Sequence, residues 1–332
     1  MEKGLDMLIL RVGDIHAKPG NLKESEALME FVLSTAVEKK VDRIELLGDL
    51  YDTHDIVRLR VQKFWHEWLY RLGKEKFGTL VLVGNHDLGG DYSDTYSALD
   101  VLSDLEGVRI ISEPQIYDGI GYLPYIHDNA HFVTAANYLA EQGATLLVSH
   151  TTYQGSKYDN GMYAPDGVDS DLLDPRLTYL ISGHVHAEQS FGRVWYPGTA
   201  RWLSKSCANR RKGIWLCEHT DRGAIVSKEF ISTEHVCTPI ISIQWKEGDE
   251  KPDLPANAKV DIELVGSSDW ISKTKKDLVG VASLSSKITD IKKSKERKSG
   301  KSLYEFLSQH YQTDPATREK LIKYMKGLEL LG

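Results

Sequence analysis

Cysteine is scarce in this chain: Cys207, Cys217 and Cys237 are the three among 332 residues. None forms a C-x-x-C pair, which argues against a disulfide framework and predicts reduced core thiols in a cytosolic protein. Long apolar runs are missing too, and nothing approaches the roughly 20 residues that span a bilayer, so no membrane association is expected. The first six residues are polar and carry no apolar signal-peptide core, which predicts a cytoplasmic protein, and Met7 is an alternative start. Basic charge is not in excess either. The formal net charge is −7, which does not advertise a nucleic-acid binder.

That charge is unevenly spread. Residues 291–332 carry ten Lys/Arg and five Asp/Glu, a net of +5, so the preceding 290 residues hold −12 of the −7 total. An acidic body is unusual for a protein that meets phosphate, unless metal ions or a basic partner offset it.

Against these absences stand five short strings in one order: GDIH at 13–16, GDLYD at 48–52, GNHD at 84–87, SH at 149–150 and GHVH at 183–186. Each follows a β-like run, at residues 8–12, 44–47, 80–83, 146–148 and 179–182. In an open α/β sheet the carboxyl ends of strands face one crevice, where ligands bind. The order therefore predicts one site lined by two Asp, one Asn and five His.

Asp and Asn offer hard oxygen, and His offers borderline nitrogen. Without thiolate, such a set suits Mn²⁺, Fe²⁺ or Zn²⁺ better than Ca²⁺. Seven residues of ligand type, Asp14, His16, Asp49, Asn85, His150, His184 and His186, exceed the about four that one ion needs. They suffice for two ions if one carboxylate bridges, and Asp49 lies between the two halves of the set. Two ions about 3.5–4 Å apart can activate hydroxide and stabilise charge on a phosphoryl oxygen, so hydrolysis of a phosphate ester is the expected reaction. His86 is left over. Beside a bound phosphate its imidazole can protonate the departing oxygen. The adjacent Asp87 is expected to fix its tautomer. His66-Glu67 opens no HExxH motif because Tyr70 takes the second His position, and Asp166, Asp169 and Asp171 lack EF-hand spacing.

On these motifs the chain resembles the calcineurin-like metallophosphoesterases, and more narrowly the SbcD-type DNA-repair exonuclease subunits of bacteria and phages, counterparts of the meiotic-recombination double-strand-break nuclease. The resemblance implies one metal on Asp14, His16, Asp49 and His186, and a second on Asp49, Asn85, His150 and His184. It makes His86 the catalytic acid that contacts phosphate. Mn²⁺ is the ion expected, with Mg²⁺, Fe²⁺ or Zn²⁺ as alternatives. Protein phosphatases of this superfamily carry an Arg in a GDxxxRG pattern; residues 48–54, GDLYDTH, have none, which argues against a phosphoprotein substrate.

The βα alternation of the first half predicts a layered α/β fold. Helices are expected at 24–40 and 57–72, and the aromatic stripe of the second (Phe64, Trp65, Trp68) reads as core rather than as a base-stacking platform. Short strands follow at 117–123 and within 194–230. A long polar loop at 153–171, just after His150, has the character of a substrate wall or lid. The fold class expected is a two-sheet α-β-β-α metallophosphoesterase sandwich with a small α+β capping domain and a C-terminal helical tail. Its division is residues 1–237 for the nuclease domain and 238–290 for a ββα cap. Residues 291–332 form a basic linker and a helical partner-binding segment.

The resemblance implies a metal-dependent phosphodiesterase, a DNA exonuclease or endonuclease, serving as nuclease subunit of a recombination and repair complex in a bacterial or phage-infected cytoplasm. DNA and an SMC-like coiled-coil ATPase are the expected partners, with a homodimer left open. A small-molecule phosphodiesterase or nucleotide hydrolase is the alternative. A non-catalytic scaffold is a second alternative, disfavoured because eight converging polar residues are costly to bury.

Overall fold

A computed structural model of the protein describes residues 7–90, 96–220, 222–280 and 282–289. Along the chain come β1 (Met7–Val12), α1 (Leu22–Lys39), β2 (Arg43–Leu46), α2 (Leu59–Gly73), β3 (Gly78–Leu82), β4 (Val108–Ile111), β5 (Gln115–Tyr117) and β6 (Ile120–Leu123). Next are α3 (Asn129–Glu141), β7 (Leu146–His150), β8 (Tyr179–Gly183), β9 (Gln189–Phe191), β10 (Val194–Tyr196), β11 (Gly213–His219) and β12 (Ile225–Ser232). The described chain ends with β13 (Ile240–Lys246), β14 (Lys259–Gly266), α4 (Ser268–Asp277) and β15 (Ser283–Ile288).

Two six-stranded mixed sheets form the body. The first runs β12-β11-β1-β2-β3-β4 and the second β5-β6-β7-β8-β10-β9. Alternation along the central strands sorts side chains into three layers. Ile9, Leu47, Leu80, Leu82, Tyr122, Leu146, Val148 and Ile181 fill the space between the sheets. Leu10, Val12, Ile44, Leu46, Val81 and Val83 point the other way, onto α1 and α2. Leu123, Leu147, Leu180 and Val194 pack with Phe132, Ala136 and Leu139 of α3. The layers are therefore α-β-β-α, as the sequence predicts.

Helix α1 buries Leu28, Met29, Val32 and Ala36 at helical spacing and stops where Lys40 turns left-handed, at φ 54°. Helix α2 buries Val61, Phe64, Trp65, Trp68, Leu69 and Leu72, so the aromatic stripe is core. It starts at Leu59, two residues later than expected, leaving Val57 exposed.

The third sheet corrects the expected ββα unit. Strands β13, β14 and β15 are all parallel, and α4 connects β14 to β15. Strand β15 reads SLSSKI and has little apolar content to announce it. The sheet has its own small core, built on Val260, Ile262, Leu264, Ile271 and Leu278. Cys237, just before it, belongs to the core of the main body. All three cysteines are buried and free, as expected. No helix among the described residues is long and apolar enough to cross a membrane. The basic linker and the helical tail expected at 291–332 lie outside the described residues.

Candidate metal centre

Five strand-to-loop junctions converge at one edge of the sandwich. Past β1, Ile15 and His16 donate their backbone N–H groups to Asp49 O at 3.3 and 2.9 Å, which ties the GDIH loop to the GDLYD loop. His184 N donates to Asp14 Oδ2 at 2.9 Å, joining the second sheet to the first. His86 N donates to Asp49 Oδ1 at 2.9 Å and brings in the loop after β3. Gly48 adopts φ 100°, and a Cβ there would lie 2.3 Å from His150 Nδ1, so only glycine lets these loops close. Three site residues hold the uncommon left-handed conformation, with φ 48° at His16, 51° at Asp49 and 75° at His184.

All seven expected ligand residues and His86 meet here. The ligand atoms form three close groups: Asp14, His16 and His186; His16, Asp49 and His86; Asp49, His150 and His184. His16 Nε2 stands 3.2 Å from His186 Nε2 and 3.5 Å from Asp49 Oδ2. His186 Nε2 is 3.7 Å from Asp14 Oδ2. On the other side, Asn85 Oδ1 is 2.7 Å from His184 Nδ1 and 3.1 Å from His150 Nε2, and that nitrogen is 3.3 Å from Asp49 Oδ1. Asp14, His16, Asp49, Asn85 and His150 are buried.

The donor set fits cations. With Nδ1–H of His150 given to Leu47 O at 2.8 Å, the neutral ring turns an unprotonated Nε2 toward two oxygen acceptors. His16 and His186 set two nitrogens face to face, and one proton at most can lie between them. Lone pairs crowded this way need positive charge among them. Burial favours neutral His150, but Asp49 and Asp14 overcome it and raise the imidazole to about 9. Burial, reinforced by Asp49, pushes the Asp14 carboxyl up to about 7. Asp49 goes the other way: burial would raise it, yet His150 and His16 hold it far below the usual carboxylate range. Burial lowers His16 and His184 to about 3 and His186 to about 4, leaving three neutral nitrogen donors. Metal binding needs deprotonated ligands, so cations would replace the protons that His150 and Asp14 otherwise carry.

His86 shows a correction. Its Nδ1 lies 2.9 Å from the carbonyl oxygen of Asp52, not against Asp87. Asp87 instead accepts from Gly84 N at 2.9 Å and Tyr51 N at 3.1 Å, pinning the turn that carries Asn85 and His86. The Asp87 carboxylate is thus taken up by one amide of its own turn and one of the loop after β2. Burial, then the nearby Asp49, push that carboxyl up to about 7. The His86 ring packs between His16, centroids 4.6 Å apart, and His54, 4.2 Å apart.

A cavity of about 280 Å³ opens over this cluster, lined by Asp49, His86, Tyr158, Asp159, Asn160, His184, His186 and Ser206. The long loop expected as a wall therefore supplies three lining residues. Sequence reasoning missed Asp159, Ser206 and His54. His54 stands two positions after the GDLYD string, a signal that was available; Asp159 and Ser206 have none, because only the folded chain brings them over the ligands.

Residues 7–188 match the calcineurin-like phosphoesterase family. Among curated proteins, a protein of Invertebrate iridescent virus 6 named as a phosphoesterase, 244L, is 26% identical over 204 residues, 58% of this chain and 69% of that one. Exonuclease subunit 1 of Enterobacteria phage T4 is 25% identical over 179 residues, 51% of this chain and 50% of its own length. Among solved structures, the E. coli phosphoesterase YfcE matches at 15% identity and a TM-score of 0.34, over 68% of this chain and 100% of that one.

Proposed function

The chain belongs to the calcineurin-like phosphoesterase family, and from that premise we propose that it hydrolyses phosphodiester bonds with two divalent cations, DNA being the substrate. The observation that carries the reading is Asp49, whose carboxylate lies within reach of His16 on one side and His150 on the other. Asp14, His16, Asp49 and His186 would hold one ion, and Asp49, Asn85, His150 and His184 the other. Mn²⁺ suits this N/O set. Bound there, the ions supply Lewis-acid stabilisation of phosphoryl oxygens and a nucleophile from water.

The protein's own groups do the rest. The left-handed turns at His16, Asp49 and His184 aim donors into one crevice before substrate arrives, which is preorganisation. His86, fixed through Nδ1 by the Asp52 carbonyl, presents Nε2 at the cavity and protonates the leaving oxygen. Tyr158, Asp159 and Asn160 wall the cavity and limit water.

DNA is favoured by the match to the phage exonuclease subunit, and by the basic segment 291–332 attached to an acidic body. We extend this to a nuclease subunit that pairs with a coiled-coil ATPase, with residues 238–290 as a cap and residues 291–332, which carry the apolar positions Leu303, Phe306, Leu307, Leu321, Tyr324 and Leu328, as the partner-binding segment. Digestion of labelled duplex DNA, single-stranded DNA and bis-p-nitrophenyl phosphate with Mn²⁺, Mg²⁺ or EDTA tests the reading. Cleavage of DNA that EDTA abolishes is expected. Activity on the chromogenic ester alone would replace it with a small-molecule phosphodiesterase, which the modest cavity favours. No metal-dependent turnover of any substrate would leave a scaffold.

A further inference from the structure

We propose that Asp159 is a positioning residue for the cavity wall, and that the third sheet holds it there through residues 205–212. A carboxylate at the mouth of a phosphate site would repel substrate if it faced outward with its charge intact. Asp159 is instead turned into its own anchor. Its Oδ2 accepts from Cys207 Sγ at 2.9 Å, and its Oδ1 lies 3.4 Å from Arg210 Nε and 3.9 Å from Lys212 Nζ. Arg210 Nη2 also donates to the Asp159 carbonyl at 2.9 Å. One short segment thus grips the loop tip by side chain and backbone, and neutralises it.

The same segment touches the metal cavity and the third sheet. Ser206 lines the cavity, and Lys212 Nζ donates to His186 O at 2.7 Å. On the other side Asn209 forms a reciprocal amide pair with Ser242 of β13: its Nδ2 donates to Ser242 O at 2.8 Å, and its Oδ1 accepts from Ser242 N at 3.0 Å. Asn209 N donates to Ile240 O at 3.0 Å, and Lys205 Nζ is 2.5 Å from Asp261 Oδ2 of β14. A displacement of the third sheet therefore pulls on the residues that fix Asp159, and the wall moves with it.

Asn209 has φ 59°, so Asn209→Gly keeps the backbone conformation while deleting the amide pair. Lys157 is the one Lys or Arg between Tyr153 and Asp171, which makes tryptic cleavage after it a reporter of wall opening without any need for turnover. Its backbone is otherwise held by Gln189, at 2.8 and 2.7 Å. Asn209→Gly and Asp159→Asn should each speed that cut about fivefold or more, with the global melting temperature unchanged. The double variant should exceed neither by much, because both act on one clasp. The kinetic arm rests on the phosphodiesterase reading: KM for bis-p-nitrophenyl phosphate should rise several-fold while kcat holds. If both variants are cut at the wild-type rate, or if cleavage rises equally at sites far from the loop, the positioning role falls. If Asp159→Asn alone accelerates the cut, the link to the third sheet falls. If the wild type turns over no ester, the hydrolase reading fails, and the proteolysis still decides the clasp.

Discussion

His150 Nδ1 lies 2.8 Å from the carbonyl oxygen of Leu47, two residues before Asp49. That contact orients the ring so that Nε2 meets Asn85 and Asp49, and it shows how the second sheet delivers a ligand to loops of the first. A shared carboxylate at Asp49 predicts unequal consequences for two substitutions. Asp49→Asn should lose metal from both positions and abolish hydrolysis. His150→Ala should keep about one equivalent of metal, because the group of Asp14, His16 and His186 does not contain it. Elemental analysis of the purified variants decides; wild-type metal content in Asp49→Asn would remove the bridge.

On the proposed reading His86 acts on substrate and not as a metal ligand, although its ring also stands in one close group with His16 and Asp49. His86→Ala should retain both metals and slow cleavage by about 10²–10⁴-fold, the range of a lost general acid. The neighbouring His54 ring, tilted 31° against it, restrains its plane. Misplacing a catalytic group by an ångström costs up to about 10²-fold, so His54→Ala should slow turnover about tenfold and His54→Phe, which keeps a flat ring, much less. Metal content and single-turnover rates separate the two roles. A full-speed His86→Ala would remove that residue from the mechanism.

Trp65 connects core to site. It is fully buried on α2, and its Nε1 donates to the carbonyl of Leu50 at 3.1 Å, directly after Asp49. Ala17 N donates to the same oxygen at 2.8 Å, so that carbonyl keeps one partner when the indole is lost. Trp65→Ala should destabilise by about 3–5 kcal/mol through the cavity left behind. Trp65→Phe should cost about 1 kcal/mol from the missing hydrogen bond, besides a smaller volume loss. Denaturant midpoints measure both, and a Trp65→Ala midpoint equal to wild type would overturn the core assignment.

Much of this architecture is legible in the sequence because the central strands are buried on both faces and end in charged or polar strings. Leu8–Val12 and Leu146–Val148 announce themselves as apolar runs, and Asp14 and His150 follow at once. The convergence of the candidate ligand residues is legible because metal chemistry demands particular side chains at strand ends. What escapes is whatever depends on partners distant in the chain. Strand β15 has only Leu284 and Ile288 as apolar residues, both on one face, and gains its place by pairing with β14. Asp159 has no distinguishing neighbours in sequence, and its meaning comes from Cys207 and Arg210 about fifty residues away. The partner of His86 is a backbone carbonyl, which no side-chain motif can advertise.

A last prediction comes from the layer between the sheets, away from the metal ligands. His219 is fully buried on β11, its Nδ1 lies 2.7 Å from Gly223 O, and its Nε2 lies 2.7 Å from Arg11 Nη1. With Nδ1–H donating to the carbonyl, Nε2 must accept from the guanidinium, so the folded protein holds this imidazole neutral. Burial and then Arg11 lower it to about 4, although Glu45 opposes them; Arg43, close by, adds to the lowering. Glu45 is itself committed, at 2.8 Å to Arg11 and 3.0 Å to Arg43. The unfolded chain binds a proton at His219 from pH about 6.5 downward, whereas the folded chain resists until about 4. The stabilisation from the neutral ring is therefore complete above pH about 6.5 and is lost as pH falls toward 4, at up to about 1.4 kcal/mol per pH unit. His219→Gln offers Arg11 a carbonyl oxygen but no titration. Its unfolding free energy should fall less steeply than that of the wild type between pH 6.5 and 4.5, the two curves separating by up to about 3 kcal/mol. Parallel curves across that interval would show that His219 is not held neutral.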